Sequence, residues 1–232
     1  MVASKKLTIY SIIAVAIIVA ITVTFLQSPR TVEPLNLRIG YLGIVDTVPV
    51  FVAMEKGYFE EEGFTISSTR FQSSNQLAEA VINGDVDYAA VVSSSVVFSI
   101  EQRVPGTIKV ISTVTHPSER PFSSILIRNN SSLTLEDLQG KKLALFPGST
   151  SQALSKIAFR NLMGEDFNAE YLQMPPNLWL DALSQGQVDA VVSYEPFATV
   201  GIERGAAKIL YSGLYEKQVM DNAPTAFTIV SS

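Results

Sequence analysis

Two stretches about a hundred residues apart carry the same short design, and they restrict the fold of this 232-residue chain more than any other feature. In the later one, Leu178, Ala182 and Leu183 fall at helical spacing, and Gly186 stands where a left-handed cap ends a helix. Val188 to Val192 follows as a short apolar run, the pattern of a strand buried on both faces. Ser193 to Pro196 then reads as the opening of a second helix, with Pro196 suited to its first turn. In the earlier stretch Leu77, Val81 and Ile82 are helically spaced, Gly84 ends the helix, and Tyr88 to Val92 reads as the strand. Laid over each other without a gap, Ala80, Gly84, Val86 and Asp87 fall on Ala182, Gly186, Val188 and Asp189, and Ser93 falls on Glu195. Two readings are open. Gly-x-Val-Asp is short enough to recur by chance, or the chain holds two α/β lobes of similar build, each offering strand C-termini and helix N-termini to a shared cleft. That is where open α/β sheets bind ligands.

The rest of the chain repeats the alternation. Leu37 to Leu42 reads as a strand, followed by the loop Gly43 to Pro49, a helix through Phe51 to Met54, and a strand from Thr65 to Thr69. Thr107 to Thr115 is another strand, and the turn-rich His116 to Pro121 is the expected crossing between lobes. Ser123 to Arg128 and Lys142 to Phe146 read as strands of the second lobe, with Thr134 to Asp137 at capping-box spacing between them. Pro147 to Ser151 leads into a helix whose apolar face includes Leu154, Ile157, Ala158 and Leu162. Strand, loop and helix in this order imply mostly parallel sheets with helices on both faces.

Before all this, Lys5-Lys6 precede an uncharged stretch from Leu7 to Leu26. A spanning helix needs about 20 apolar residues and a signal-peptide core only about 7–15. The length favours an uncleaved anchor for residues 1–30, a cleaved signal being the alternative; in both cases the lysines stay inside and the rest is delivered outside. Residues 31–36 read as a linker. A formal net charge of −5 argues against nucleic acid as a partner. With no cysteine, disulfides, thiolate metal sites and a lipid-modified cysteine have no residues to build them, and a single histidine argues against a histidine-based zinc site or a Ser-His-Asp triad, so no cofactor and no metal are expected.

Taken together, Ile39-Gly40-Tyr41, Pro49 to Ala53, Glu55 to Phe59 with Gly63, and Gly84 to Asp87 resemble the substrate-binding proteins of ABC importers. Leu138 to Lys142, Pro147-Gly148-Ser149, Gly186 to Asp189 and Glu195-Pro196 continue the series in the family's order. The match is to the type 2 periplasmic-binding fold, in the group handling aliphatic sulfonates, taurine, nitrate and thiamine-pyrimidine precursors. The resemblance implies a two-lobe clamp that closes on one small anionic or zwitterionic solute and delivers it to permease subunits in the membrane. The expected lobes are 37–116, rejoined by 225–232, and 117–224. Family members usually run on further, so the first lobe is expected to be incomplete; Tyr194 also stands where the family often has tryptophan.

Candidate ligand residues follow from helix ends. Gly148, Ser149, Thr150 and Ser151 open a helix, where unpaired N–H groups and hydroxyls suit a sulfonate, carboxylate or nitrate; the competing reading is that one serine merely caps the helix. Ser93 and Ser94, with Ser95, read as the equivalent turn of the first lobe. Thr47 could donate from its loop, Asn177 offers an amide at the cleft rim, and Glu195 either accepts from a solute amine or caps its own helix. His116 reads as part of a surface turn rather than a base, and Tyr41 as packing or cleft wall. Two other classes remain open. An enzyme on the same fold is one, although the fungal pyrimidine synthase relies on a cysteine-rich stretch absent here; a ligand-sensing ectodomain or degenerate paralogue is the other.

Overall fold

The computed structural model describes residues 34–221 and 224–232. Its strands are β1 (Leu35–Leu42), β2 (Phe64–Phe71), β3 (Tyr88–Ser93), β4 (Ile108–Thr115), β5 (Ser123–Arg128), β6 (Lys142–Leu145), β7 (Glu170–Gln173), β8 (Ala190–Tyr194), β9 (Ala207–Ser212) and β10 (Pro224–Ser231). The helices are α1 (Val48–Glu55), α2 (Tyr58–Glu61), α3 (Ser74–Ile82), α4 (Ser94–Arg103), α5 (Ser149–Met163), α6 (Trp179–Ser184), α7 (Phe197–Glu203) and α8 (Leu214–Gln218). The strands form two five-stranded sheets, in the orders β2-β1-β3-β10-β4 and β7-β6-β8-β5-β9. Position by position these are one topology. The central strand of each is flanked by parallel neighbours on one side, and β10 or β5 runs antiparallel to both of its own neighbours.

The sheets are therefore mixed, which corrects the expectation of mostly parallel ones. The reason lies in the connections. β5 and β10 are the strands on which the chain passes from one sheet to the other, and each inserts between two strands of its sheet instead of following a helical crossover.

The repeated Gly-x-Val-Asp has the same structural role in both sheets, so it is no coincidence of composition. Gly84 and Gly186 adopt φ of 74° and 71°, the left-handed turn that ends α3 and α6. The aspartate then pins the start of the central strand. Asp87 donates its N–H to the Arg38 carbonyl at 2.8 Å and accepts from the Arg38 N–H at 2.9 Å; Asp189 does both with Lys142, at 2.9 Å each. In the first sheet the Arg38 guanidinium adds two bonds to the same carboxylate, and together with the Arg38 N–H it holds the Asp87 carboxyl below the usual carboxylate range.

The helical faces shift slightly from those expected. The buried face of α3 is Leu77, Ala78, Ala80 and Val81, while Ile82 is exposed; in α6, Trp179, Ala182 and Leu183 are buried and Leu178 is exposed. In α5, Ser155 and Phe159 take the inner positions and Ile157 points out. β8 runs on to Tyr194, so α7 begins at Phe197 rather than Ser193. In the first sheet, α3 and α4 pack against one face, and the other meets Val50 and Met54 of α1 and Phe59 of α2. The second sheet is covered by α5 and α8 on one side and by α6 and α7 on the other. Among the described residues no helix is long and apolar enough to cross a membrane. The candidate span Leu7 to Leu26 lies outside them.

Candidate functional site

The C-terminal ends of the parallel strands in both sheets point at one cavity of about 100 Å³. Leu42 and Ser93, which end β1 and β3, line it from the first sheet; Phe146, just past β6, and Tyr194, which ends β8, line it from the second. Polar groups are few. Ser74 and Asn75 come from the first turn of α3, Gly148, Thr150 and Ser151 from the opening of α5, and Asp46 and Glu216 are the carboxylates. Thr225 adds a further hydroxyl, the remaining walls are apolar and aromatic, and none of the lining residues is Lys or Arg.

Of the residues singled out in the sequence, Ser93, Gly148, Thr150 and Ser151 line this cavity. Ser94 is buried under the first turn of α4, and Ser149 faces solvent. Thr47 is fully buried and donates to the Leu42 carbonyl at 2.7 Å, closing the turn after β1. Asn177 is exposed in the short helical turn Pro176–Leu178 and is not among the lining residues. The Glu195 carboxylate accepts from the Thr199 N–H at 3.3 Å, so it caps its own helix, and its carbonyl accepts from the Val45 N–H at 3.2 Å. Tyr41 packs edge-on against Phe51, with ring centres 5.0 Å apart.

Ser151 is the most informative of these. It lies in the first turn of α5, only 5% exposed, and among the described residues its Oγ makes no well-formed hydrogen bond, although the Tyr194 and Tyr215 hydroxyls lie near enough to interact with it. A buried hydroxyl without a partner costs free energy that a bound polar group would recover. Beside it the Tyr215 hydroxyl shares a 2.7 Å bond with Ser155 Oγ and reaches the Ser151 carbonyl at 3.5 Å. Burial pushes the Tyr194 and Tyr215 phenols up, so both rings meet the cavity as neutral hydroxyl-bearing groups. At the mouth, Ser95 Oγ and Thr150 Oγ1 are 2.7 Å apart and Ser93 Oγ is 3.1 Å from Ser95 Oγ, a hydroxyl chain joining the openings of α4 and α5.

Two expectations need correcting here. The Ser93 to Ser95 turn is not the counterpart of the α5 opening. α5 follows β6, whose counterpart is β1, so its topological equivalent is the segment after β1 that carries Asp46. His116 is not part of a surface turn either. Its Nε2 lies 3.0 and 3.2 Å from the two Asp46 oxygens, and its ring stacks on Phe122 with centres 4.5 Å apart. Phe122 stacks in turn on Tyr194 at 4.8 Å. Glu216, Phe122 and Asp46 carried no motif; only their positions after a strand or at the crossing between sheets could have marked them.

Relatives of the chain carry names that fit this geometry. A Bacillus subtilis (strain 168) protein named for binding aliphatic sulfonates is 27% identical over 170 residues, covering 71% of this chain and 50% of its own length. Its Escherichia coli (strain K12) counterpart is 28% identical over 187 residues, 78% of this chain and 56% of its own. The chain thus spans about half the length of the curated relatives it matches. Among solved structures, the alkanesulfonate-binding protein SsuA from Xanthomonas axonopodis pv. citri superposes with a TM-score of 0.65 at 23% identity, over 87% of this chain and 67% of that one, which places the fold among the periplasmic-binding proteins. The model of the NMT1-like family matches residues 30–232, well over half of the sequence, and the chain belongs to that family.

Proposed function

We propose that this protein is the extracytoplasmic solute-binding component of an ABC importer. It closes two lobes, 37–116 with 225–232 and 117–224, on a small anionic or zwitterionic solute and passes it to permease subunits. The observation that carries this reading is the buried Ser151 Oγ in the first turn of α5, without a well-formed hydrogen bond among the described residues, inside a cavity between the two sheets. The helix N-terminus contributes about 0.3–1 kcal/mol toward an anion when exposed and up to about 2 kcal/mol when partly buried. Each hydrogen bond to a charged group adds about 1.5–3 kcal/mol. With Thr150, Ser151 and first-turn N–H groups together, micromolar binding, about 8 kcal/mol, is within reach without any cationic side chain. The relatives named for sulfonate binding supply the chemical class. Calorimetry with small alkanesulfonates on residues 31–232 is the test. Ser151→Ala combined with Thr150→Val is expected to weaken binding at least tenfold; unchanged affinity in that variant would remove the α5 site.

The lobes are held outside the membrane by residues 1–30 acting as an uncleaved anchor, on the strength of the 20-residue uncharged stretch Leu7 to Leu26. Intact-mass analysis of the native protein is expected to return the full N-terminus. A mature chain beginning between Gln27 and Thr31 would show a cleaved signal instead.

A further inference from the structure

The α4 opening is not the topological counterpart of the α5 opening, yet the two meet at the mouth of the cavity. Apart from the pairing of β10 itself, only two hydrogen bonds among the described residues join residues 37–116 and 225–232 to residues 117–224. One is between main chains, from the Val45 N–H to the Glu195 carbonyl at 3.2 Å; the other is between side chains, Ser95 Oγ with Thr150 Oγ1 at 2.7 Å. Ser95 is exposed and is not among the residues that line the cavity. Resting on the solute-binding reading above, we propose that Ser95 is a positioning residue for the solute. Its hydroxyl makes Thr150 a donor toward the bound anion and holds the two lobes together while the anion is there.

A count of protons leads to this. Ser93, Ser95 and Thr150 bring three O–H protons, and the chain they form uses two, Ser93 with Ser95 and Ser95 with Thr150. One proton is left over. Either oxygen of each pair can donate, so the spare proton sits on Ser93 or on Thr150 according to the direction in which the chain runs. Both of those residues line the cavity. An anionic head at the α5 opening selects one direction: Ser93 donates to Ser95, Ser95 to Thr150, and Thr150 to the solute. A hydroxyl that accepts a hydrogen bond becomes a better donor, so Ser95 strengthens a contact that it does not itself make. The same chain couples the solute to closure. When the lobes part without solute, Ser95 and Thr150 each return to water and little is lost. With solute bound, parting the lobes breaks a chain that runs from β3 and α4 through Thr150 to the anion. The effect of Ser95 therefore falls on how long the solute stays rather than on how fast it enters.

Calorimetry and stopped-flow binding of ethanesulfonate to the full chain test this. Ser95→Ala is expected to weaken binding about three- to tenfold, the worth of one hydrogen bond. The loss is expected in faster dissociation, with the association rate changed less than about twofold. Ser95→Thr keeps the hydroxyl and is expected to restore both affinity and dissociation rate. In a Thr150→Val background, Ser95→Ala is expected to change nothing further, because the partner of its hydroxyl is gone. A merely structural role for Ser95 would give the same loss in both backgrounds. Wild-type affinity and dissociation in Ser95→Ala, or an undiminished loss in the Thr150→Val background, would overturn the role of Ser95 while the solute-binding reading stands. If the wild type does not bind ethanesulfonate at all, the sulfonate reading itself falls, and the Ser95 role with it.

Discussion

Replacing Glu216 with alanine is expected to destabilise the protein by about 3–5 kcal/mol, because three buried donors lose their shared acceptor. Glu216 is 2% exposed and gathers three donors from Phe122 and Ser123, where the chain leaves the crossing segment and enters β5. Ser123 Oγ also accepts from the Tyr215 N–H at 2.9 Å, so α8 and the start of β5 are tied together twice. Alanine leaves two backbone N–H groups and a hydroxyl without their acceptor, and each buried donor so stranded costs about 1–3 kcal/mol. A domain of this size loses about 2–4 °C in Tm per kcal/mol, so a shift of about 6–20 °C is expected. Urea unfolding measures it. Ser123→Ala should cost less, and the double variant should fall short of the sum, because the two residues share one network. A loss below about 1 kcal/mol for Glu216→Ala would mean that water replaces the carboxylate and that the junction is not held by it.

That junction was invisible in the sequence, and the contrast with the parts that were visible is physical. Gly84 and Gly186 announce themselves because a left-handed turn at a helix end strongly favours glycine, and Asp87 and Asp189 follow at fixed spacing because the aspartate must reach back to the strand beside it. Local geometry of that kind leaves a local signature. The antiparallel placement of β5 and β10 does not, since an apolar run reads the same in either direction. Nor does Glu216, an ordinary helical glutamate until residues 93 and 94 positions away donate to it. The serines of α5 were legible because helix openings have recognisable chemistry, yet their partner across the cavity was assigned to Ser93 to Ser95. Aligning the strand starts, Arg38 on Lys142, would have directed attention to Asp46 instead. Thr47 and Glu195 show the cost of reading side chains without their backbones. Both have the right chemistry for a ligand, and both spend it on a neighbouring main-chain group.

Gly148→Ala is the smallest change expected to disable the cleft. Gly148 holds φ of 122° and ψ of 155°, a conformation that is essentially restricted to glycine and costs other residues about 1–3 kcal/mol. Its N–H donates to Gln173 Oε1 at 2.9 Å, which fixes the peptide in the orientation that starts α5. A methyl group there would also stand 3.4 Å from Asn75 Oδ1 and 3.6 Å from Ser73 Cβ, on the opposite side of the cavity. Both are ordinary van der Waals separations, so the substitution acts through the backbone: it turns the peptide before α5, moving Thr150 and Ser151. Relaxing the strain by rotating the peptide gives up the donors. That removes hydrogen bonds worth about 1.5–3 kcal/mol each to a charged solute, so affinity is expected to fall about 10- to 100-fold or more. Stability should fall by about 1–3 kcal/mol. Asn75→Ala is the control: in the Gly148→Ala background it is expected to restore none of the affinity, because the loss comes from the backbone and not from the Asn75 contact. Wild-type affinity for an alkanesulfonate in Gly148→Ala would show that the α5 opening tolerates the turned peptide and does not position the solute.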